Sequence, residues 1–197
     1  LHIVVTDPAD GTIVADELLP AGMRKVRTEI ATRAEHLWSP NDPYLYDVTA
    51  TLEFGAAKSQ GKQEKLQQES QEIQEKPAKS QEKQDIVRSY CAFRTVEIKP
   101  DLKGIARFHL NGKPVFLKGV LDQGYWPDGL LTAPSDEALV HDIIAMKESG
   151  FTMLRKHIKI ESARWYYHCD RLGMLVWQDA VSGGGEYNAW TTNRKPT

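Results

Sequence analysis

Cysteine is scarce in this chain: Cys91 and Cys169 are the only two in 197 residues, with neither a CxxC spacing nor a histidine at a zinc-like distance. That excludes a disulfide framework and gives a metal site no support. Both are expected as small buried side chains. Long apolar runs are lacking too. No stretch approaches the roughly 20 apolar residues that span a membrane, and the first residues carry neither the basic stretch nor the apolar core of a signal peptide. No membrane partner is expected, and the localisation is unknown. Nor is there an excess of one charge: 25 Lys and Arg stand against 27 Asp and Glu, a formal net charge of -2. With no basic segment, the footprint of a nucleic-acid binder is missing. The chain opens on Leu1, inside an alternating pattern, so further residues upstream are expected.

What is present first is strand material. Residues 2–6, 11–15, 25–33, 44–54 and 86–98 are rich in Val, Ile, Thr and Tyr, which predicts strands. Asp7, Pro8, Asp10 and Gly11 supply a turn between the first two and predict a hairpin. In 44–52, Tyr44, Tyr46, Val48, Ala50 and Leu52 fall on one face while Asp47, Thr49 and Thr51 fall on the other, the pattern of a half-buried strand. Short strands separated by turns predict an antiparallel sandwich over residues 1–100, its core anchored by Trp38. From 58 to 85 the composition changes to Lys, Gln, Glu and Ser, with Leu66 and Ile73 the only large apolar residues before Ile86. Such a segment buries too little to offset its ordering entropy. It is expected to be a surface insertion within one domain, because the strand pattern resumes at Ile86.

Near Asp101 the grammar changes. Residues 108–120, FHLNGKPVFLKGV, predict two strands joined by a tight Asn-Gly turn. Ser135 followed by Asp136 and Glu137 predicts a capped helix, with Leu139, Ile143, Met146 and Lys147 at helical spacing up to Gly150. Residues 151–155 predict a buried strand, 161–172 a second helix stopped at Gly173, and 174–179 a third buried strand. The alternation of strands and helices over 101–197 favours parallel pairing. Trp165, Tyr166 and Tyr167 fall on the second helix as core. His2, His36, His109, His141 and His168 are expected as surface or satisfied structural residues.

Four stretches together resemble glycoside hydrolase family 2, the group of β-galactosidases, β-glucuronidases and β-mannosidases. LWSPNDPYLY at 37–46 resembles a signature of that family's immunoglobulin-like domain. FHLNGKPVFLKGV at 108–120 resembles the start of its (β/α)8 barrel. DIIAMKESGFTMLR at 142–155 resembles the helix and second barrel strand, and CDRLGMLVWQD at 169–179 the third strand in its mannosidase-like form. The resemblance implies a mixed fold, an immunoglobulin-like β-sandwich over 1–100 followed over 101–197 by the first part of a (β/α)8 TIM barrel. It implies a parent enzyme that hydrolyses β-linked glycosides with retention, with no cofactor or metal. In that family the acid/base glutamate follows an asparagine after strand four, and the nucleophile follows strand seven. No Asn-Glu pair occurs here, and Glu186 sits in a glycine-rich stretch. Retaining hydrolysis needs two carboxyl groups about 5 Å apart, so no catalytic residue is assigned and the fragment itself is expected to be inactive.

A (β/α)8 barrel keeps its site at the C-terminal ends of the strands. The expected substrate-binding residues are therefore Asp122, Gln123 and Trp126 after the first strand, Arg155 and His157 at the second, and Asp179 at the third, with Lys156 and Gln178 beside them. Arg155 matches the family's strand-two arginine and is expected buried, paired with Asp179. His157 departs from the family's Arg-x-x-His or Arg-x-Trp, and Leu121-Asp122-Gln123 from its Asn-Arg-His, which leaves the sugar open. Trp126 could stack on a pyranose face, while Trp190 is expected in packing. The alternative is a non-catalytic carbohydrate-binding or protein-interaction module, to be separated by whether an Asn-Glu pair follows in the gene. Open barrel edges at strands one and three would also favour self-association.

Overall fold

The computed structural model describes residues 1–20, 27–54 and 83–181. Residues 58–82 of the expected 58–85 insertion, Glu186 and Trp190 lie outside these, while 83–85 fall in a strand. The chain divides into two compact units, 1–34 with 46–91 and 35–45 with 92–197.

In the first unit, β1 (His2–Thr6) and β2 (Ile13–Leu18) form the expected hairpin, and β1 also pairs antiparallel with β3 (Tyr46–Phe54), which pairs with β4 (Lys83–Cys91). The sheet order is β2-β1-β3-β4. The turn closes as its residues dictate: Gly11 N donates to Asp7 O at 2.9 Å, while the Asp7 and Asp10 carboxylates accept from Ala9 N and Thr12 N. Val5, Val14, Ala15 and Tyr46 are buried. Two expectations change. Of the expected strand 25–33, the described residues 27–33 form no strand; Arg33 N donates to Val14 O of β2 at 2.8 Å, and β-rich composition without a ladder leaves extended chain. The run 86–98 is two strands, because β4 begins at Lys83 and ends at Cys91.

The second unit opens on the LWSP segment. Trp38, expected in a sandwich core, is buried here instead: Nε1 donates to Asp170 O at 2.7 Å, its carbonyl accepts from Asn111 Nδ2 at 3.0 Å, and Arg94 lies 4.7 Å above the ring. β5 (Val96–Pro100), β6 (Ala106–Leu110) and the two-residue β7 (Lys113–Pro114) form an antiparallel sheet. Asn111 and Gly112 make the turn before β7 at φ 51° and 74°, the left-handed pair that a type I′ turn requires.

β8 (Gly119–Asp122), α1 (Asp136–Glu148), β9 (Met153–Lys156), α2 (Ala163–Leu172) and β10 (Leu175–Gln178) follow in order. The three strands pair parallel with β9 in the middle, as the alternation predicted. Ser135 caps α1 by accepting from Ala138 N at 3.2 Å. Gly173 ends α2 at φ 72°. Val120, Leu154 and Val176 stand abreast on one sheet face and meet Leu139 and Ile143 of α1, Trp165 and Cys169 of α2, and Met174. That is the core of the second unit, and it sets which way each side chain at the strand ends points.

Candidate active site at the strand ends

Register sets Leu121, Arg155 and Trp177 abreast, and one residue on, Asp122, Lys156 and Gln178. Strand alternation turns the two rows to opposite faces. The second row shares parity with Val120, Leu154 and Val176, so it looks into the helix layer, while the first looks away from it.

On the face away from the helices, Arg155 donates from Nε to Asp179 Oδ1 and from a terminal nitrogen to Oδ2, both at 3.0 Å. This is a bidentate, charge-assisted pair, and it is the partnership expected from the sequence. The arginine is not buried, however: its side chain is 51 % exposed against 13 % for Asp179, because among the described residues its row has no helix over it. The Arg155 hydrogen bonds hold the Asp179 carboxyl below the usual carboxylate range against some desolvation, with help from the Ile158 backbone N–H, and Arg155 is raised in turn. His157 is close enough to act on Asp179 electrostatically. Its backbone N–H donates to Asp122 O at 2.9 Å, and Gln123 Nε2 donates to its Nδ1 at 3.2 Å. With Nδ1 accepting, a neutral ring carries its proton on Nε2.

The helix-side row is a charge network. Lys156, 1 % exposed, places Nζ 2.9 Å from Asp122 Oδ1 and 3.2 Å from Glu161 Oε1. The same ammonium stands 4.1 Å from the Trp165 ring centre. Lys159 Nζ reaches Glu161 Oε1 at 2.6 Å and donates to the carbonyls of Gly124 and Leu131 at 2.7 and 2.8 Å. Burial pushes the Glu161 carboxyl up, but the two lysines outweigh it and leave the group below its ordinary value. Gln178 donates to Lys159 O at 2.8 Å and accepts from the Tyr166 hydroxyl. Trp126 pairs its backbone with Leu130 and packs against the helix-layer core. It lines a cavity of about 410 Å³ together with Asp122, Lys156, Glu161 and Trp165.

The structure thus brings Arg155, Asp179, His157 and Gln123 together, and sets Asp122 and Trp126 apart from them on the helix side. Lys159 and Glu161 were missed from the sequence, as was the depth of Lys156. The signal was parity: Lys156 is two residues from buried Leu154 on one strand, so it enters the same layer. A lysine there needs an acidic partner. Among the described residues, no group of three or more His, Cys, Asp or Glu is placed to hold a metal ion.

An antiparallel sheet in one unit and a parallel strand-helix alternation with polar strand ends in the other make a mixed, sheet-rich fold. It matches a glycosyl hydrolase family 2 member from Bacteroides cellulosilyticus with a TM-score of 0.63 and 27% identity, over 91% of this chain and 21% of that one. Among curated proteins, β-mannosidase B of Aspergillus terreus is 30% identical over 164 residues, 78% of this chain and 16% of the relative. A β-galactosidase of Yersinia enterocolitica is 28% identical over 156 residues, 78% of this chain and 12% of the relative. No family model matches the chain. These similarities support a fragment of glycoside hydrolase family 2. It spans well under a fifth of the length of these curated relatives.

Proposed function

We propose that this chain is part of a retaining glycosidase that cleaves β-linked glycosides. In that reading residues 1–100 form an immunoglobulin-like domain and 101–197 the opening strands of a (β/α)8 barrel. The observation that carries the reading is the bidentate Arg155–Asp179 pair beside His157 and Gln123, at the C-terminal ends of adjacent parallel strands. That is where such a barrel meets its substrate. An exposed guanidinium whose orientation is fixed by a carboxylate keeps donors free for sugar hydroxyls or for a catalytic carboxylate. His157 Nε2 and Gln123 add a second donor group. Two carboxyl groups about 5 Å apart would still be needed for double displacement, and no Asn-Glu pair lies in these residues. The 197 residues by themselves are therefore inactive in this proposal, and they supply positioning and binding. β8 and β10 are the outer strands of their sheet, which supports self-association of the isolated chain through those edges.

The experiment is hydrolysis of nitrophenyl β-galactoside, β-glucuronide, β-mannoside and β-glucoside by the full-length gene product beside this chain. Activity only in the longer protein is expected, and Arg155→Ala there is expected to lower kcat/KM at least 100-fold on the preferred glycoside. Turnover by the 197-residue chain, or an Arg155→Ala variant with unchanged kcat/KM, would sink the proposal.

A further inference from the structure

The helix-side network lies directly beneath the strand-end cluster, and the two share backbone. Asp179 N donates to Lys156 O at 3.1 Å, and His157 N donates to the carbonyl of Asp122, the residue whose carboxylate Lys156 binds. Lys156 therefore stands at a junction of three segments: the end of β8 through Asp122, the end of β9 through its own backbone, and the segment before α2 through Glu161. Glu161 in turn holds Lys159, which clamps the loop after β8 at Gly124 and Leu131. That loop begins at Gln123, the partner of His157. One buried ammonium is thus linked to every member of the exposed cluster by at most two further contacts.

We infer that Lys156 is a positioning residue for this family 2 site, fixing Gln123, His157 and the Arg155–Asp179 pair from behind. The inference rests on the reading that the exposed cluster meets substrate. Its physical basis is cost. A buried ammonium is retained only with close partners, and Lys156 has two carboxylates and an aromatic face. The charged and titratable groups around it come from each neighbouring element: Asp122 of β8, Lys159 and Glu161 before α2, Cys169 of α2, and Asp142 of α1 on the cavity wall. Removing the lysine strands Asp122, which has no other ion-pair partner among the described residues, and leaves Glu161 with Lys159 alone.

The test compares Lys156→Met, Asp122→Asn and the double variant in the full-length protein, per mole of folded enzyme, on the preferred nitrophenyl glycoside. Lys156→Met is expected to lower kcat at least 10-fold with KM changed less than threefold, and the double variant to recover at least half of that loss on a logarithmic scale. Amide exchange of residues 124–131 is expected to rise in the single variant and to return in the double. If Lys156→Met fails to fold, Glu161→Gln replaces it, with the same expected rise in exchange and a smaller fall in kcat. Unchanged kcat in the single variant together with unchanged exchange would overturn the inference. A damaged Arg155→Ala beside a silent Lys156→Met would overturn it alone, whereas silence in both would overturn the site reading as well.

Discussion

Ile158 is a β-branched residue held at φ 45°, a conformation that costs a side chain with a Cβ roughly 1–2 kcal/mol. Its neighbours hold it there: His157 N is tied to Asp122 O, Lys159 Nζ to two carbonyls, and the Ile158 N–H is aimed at the Asp179 carboxylate. Strain kept beside a carboxylate–guanidinium pair is the pattern of a preorganised site. Ile158→Gly relieves the strain, adds about 0.5–1 kcal/mol of chain entropy cost, and gives up a side chain that is already 40 % exposed. The variant is expected to be as stable as the parent or more stable by up to about 1 kcal/mol in urea denaturation, and to weaken the Arg155–Asp179 geometry. A loss above about 2 kcal/mol would mean that Ile158 is held by packing and not by its backbone role. No residue-type pattern announces a left-handed isoleucine, which is why it escaped the sequence. The Arg155–Asp179 pair was legible because opposite charges at neighbouring strand ends have few other solutions. Trp126 packs against the helix-layer core and also lines the cavity beside it, since an aromatic in a strand-end loop serves a core as readily as a sugar ring.

Among the elements, legibility followed how local each signal is. The Ser135 cap and the Gly173 stop act within a few residues and located both helices to within two residues. Segment 27–33 has strand composition but lacks a ladder, because pairing depends on a distant partner that composition does not encode. Gly173 also shows how an end of a helix becomes a packing joint. A Cβ there would lie 2.3 Å from the Pro40 carbonyl oxygen and 2.9 Å from Lys147 Nζ. Lys147 itself donates to the carbonyls of Pro40 and Leu172. Gly173→Ala therefore meets both a left-handed φ and a backbone clash, and is expected to destabilise by at least about 2 kcal/mol. Thermal unfolding measures it. A variant with an unchanged midpoint would show that the LWSP segment does not rest on the end of α2. Ser135→Ala gives the scale for comparison, since loss of a cap costs about 1 kcal/mol.

For the whole molecule, pH sums these local environments. His168 is buried, with Arg171 Nε donating to its Nδ1 at 2.9 Å. Burial, then the nearby Arg171 and Arg164 charges, hold it below its ordinary value of 6.5, while Asp136 opposes them. Its neutral form belongs to the folded state, so an unfolded chain takes up the proton first and stability falls as pH drops below about 6.5. Asp179 and Glu161 are also held low, by Arg155 and by the lysines respectively. They add a second loss of the same sign below about pH 4.5. Cys169 works in the other direction: burial pushes its thiol far above the ordinary 9.0, so an unfolded thiol ionises first and stability falls as pH rises past about 9. The expected urea midpoint is flat between about pH 7 and 9 and declines on both sides. His168→Gln should remove the part of the acid limb between about pH 6.5 and 5, and Cys169→Ala most of the alkaline limb, with Cys91, whose thiol burial also raises, keeping the rest; each starts from a lower plateau because both side chains are packed. An acid limb that begins only below pH 4.5 in the parent would mean that His168 accepts its proton as easily folded as unfolded. That would place the helix layer in contact with water where the core now stands.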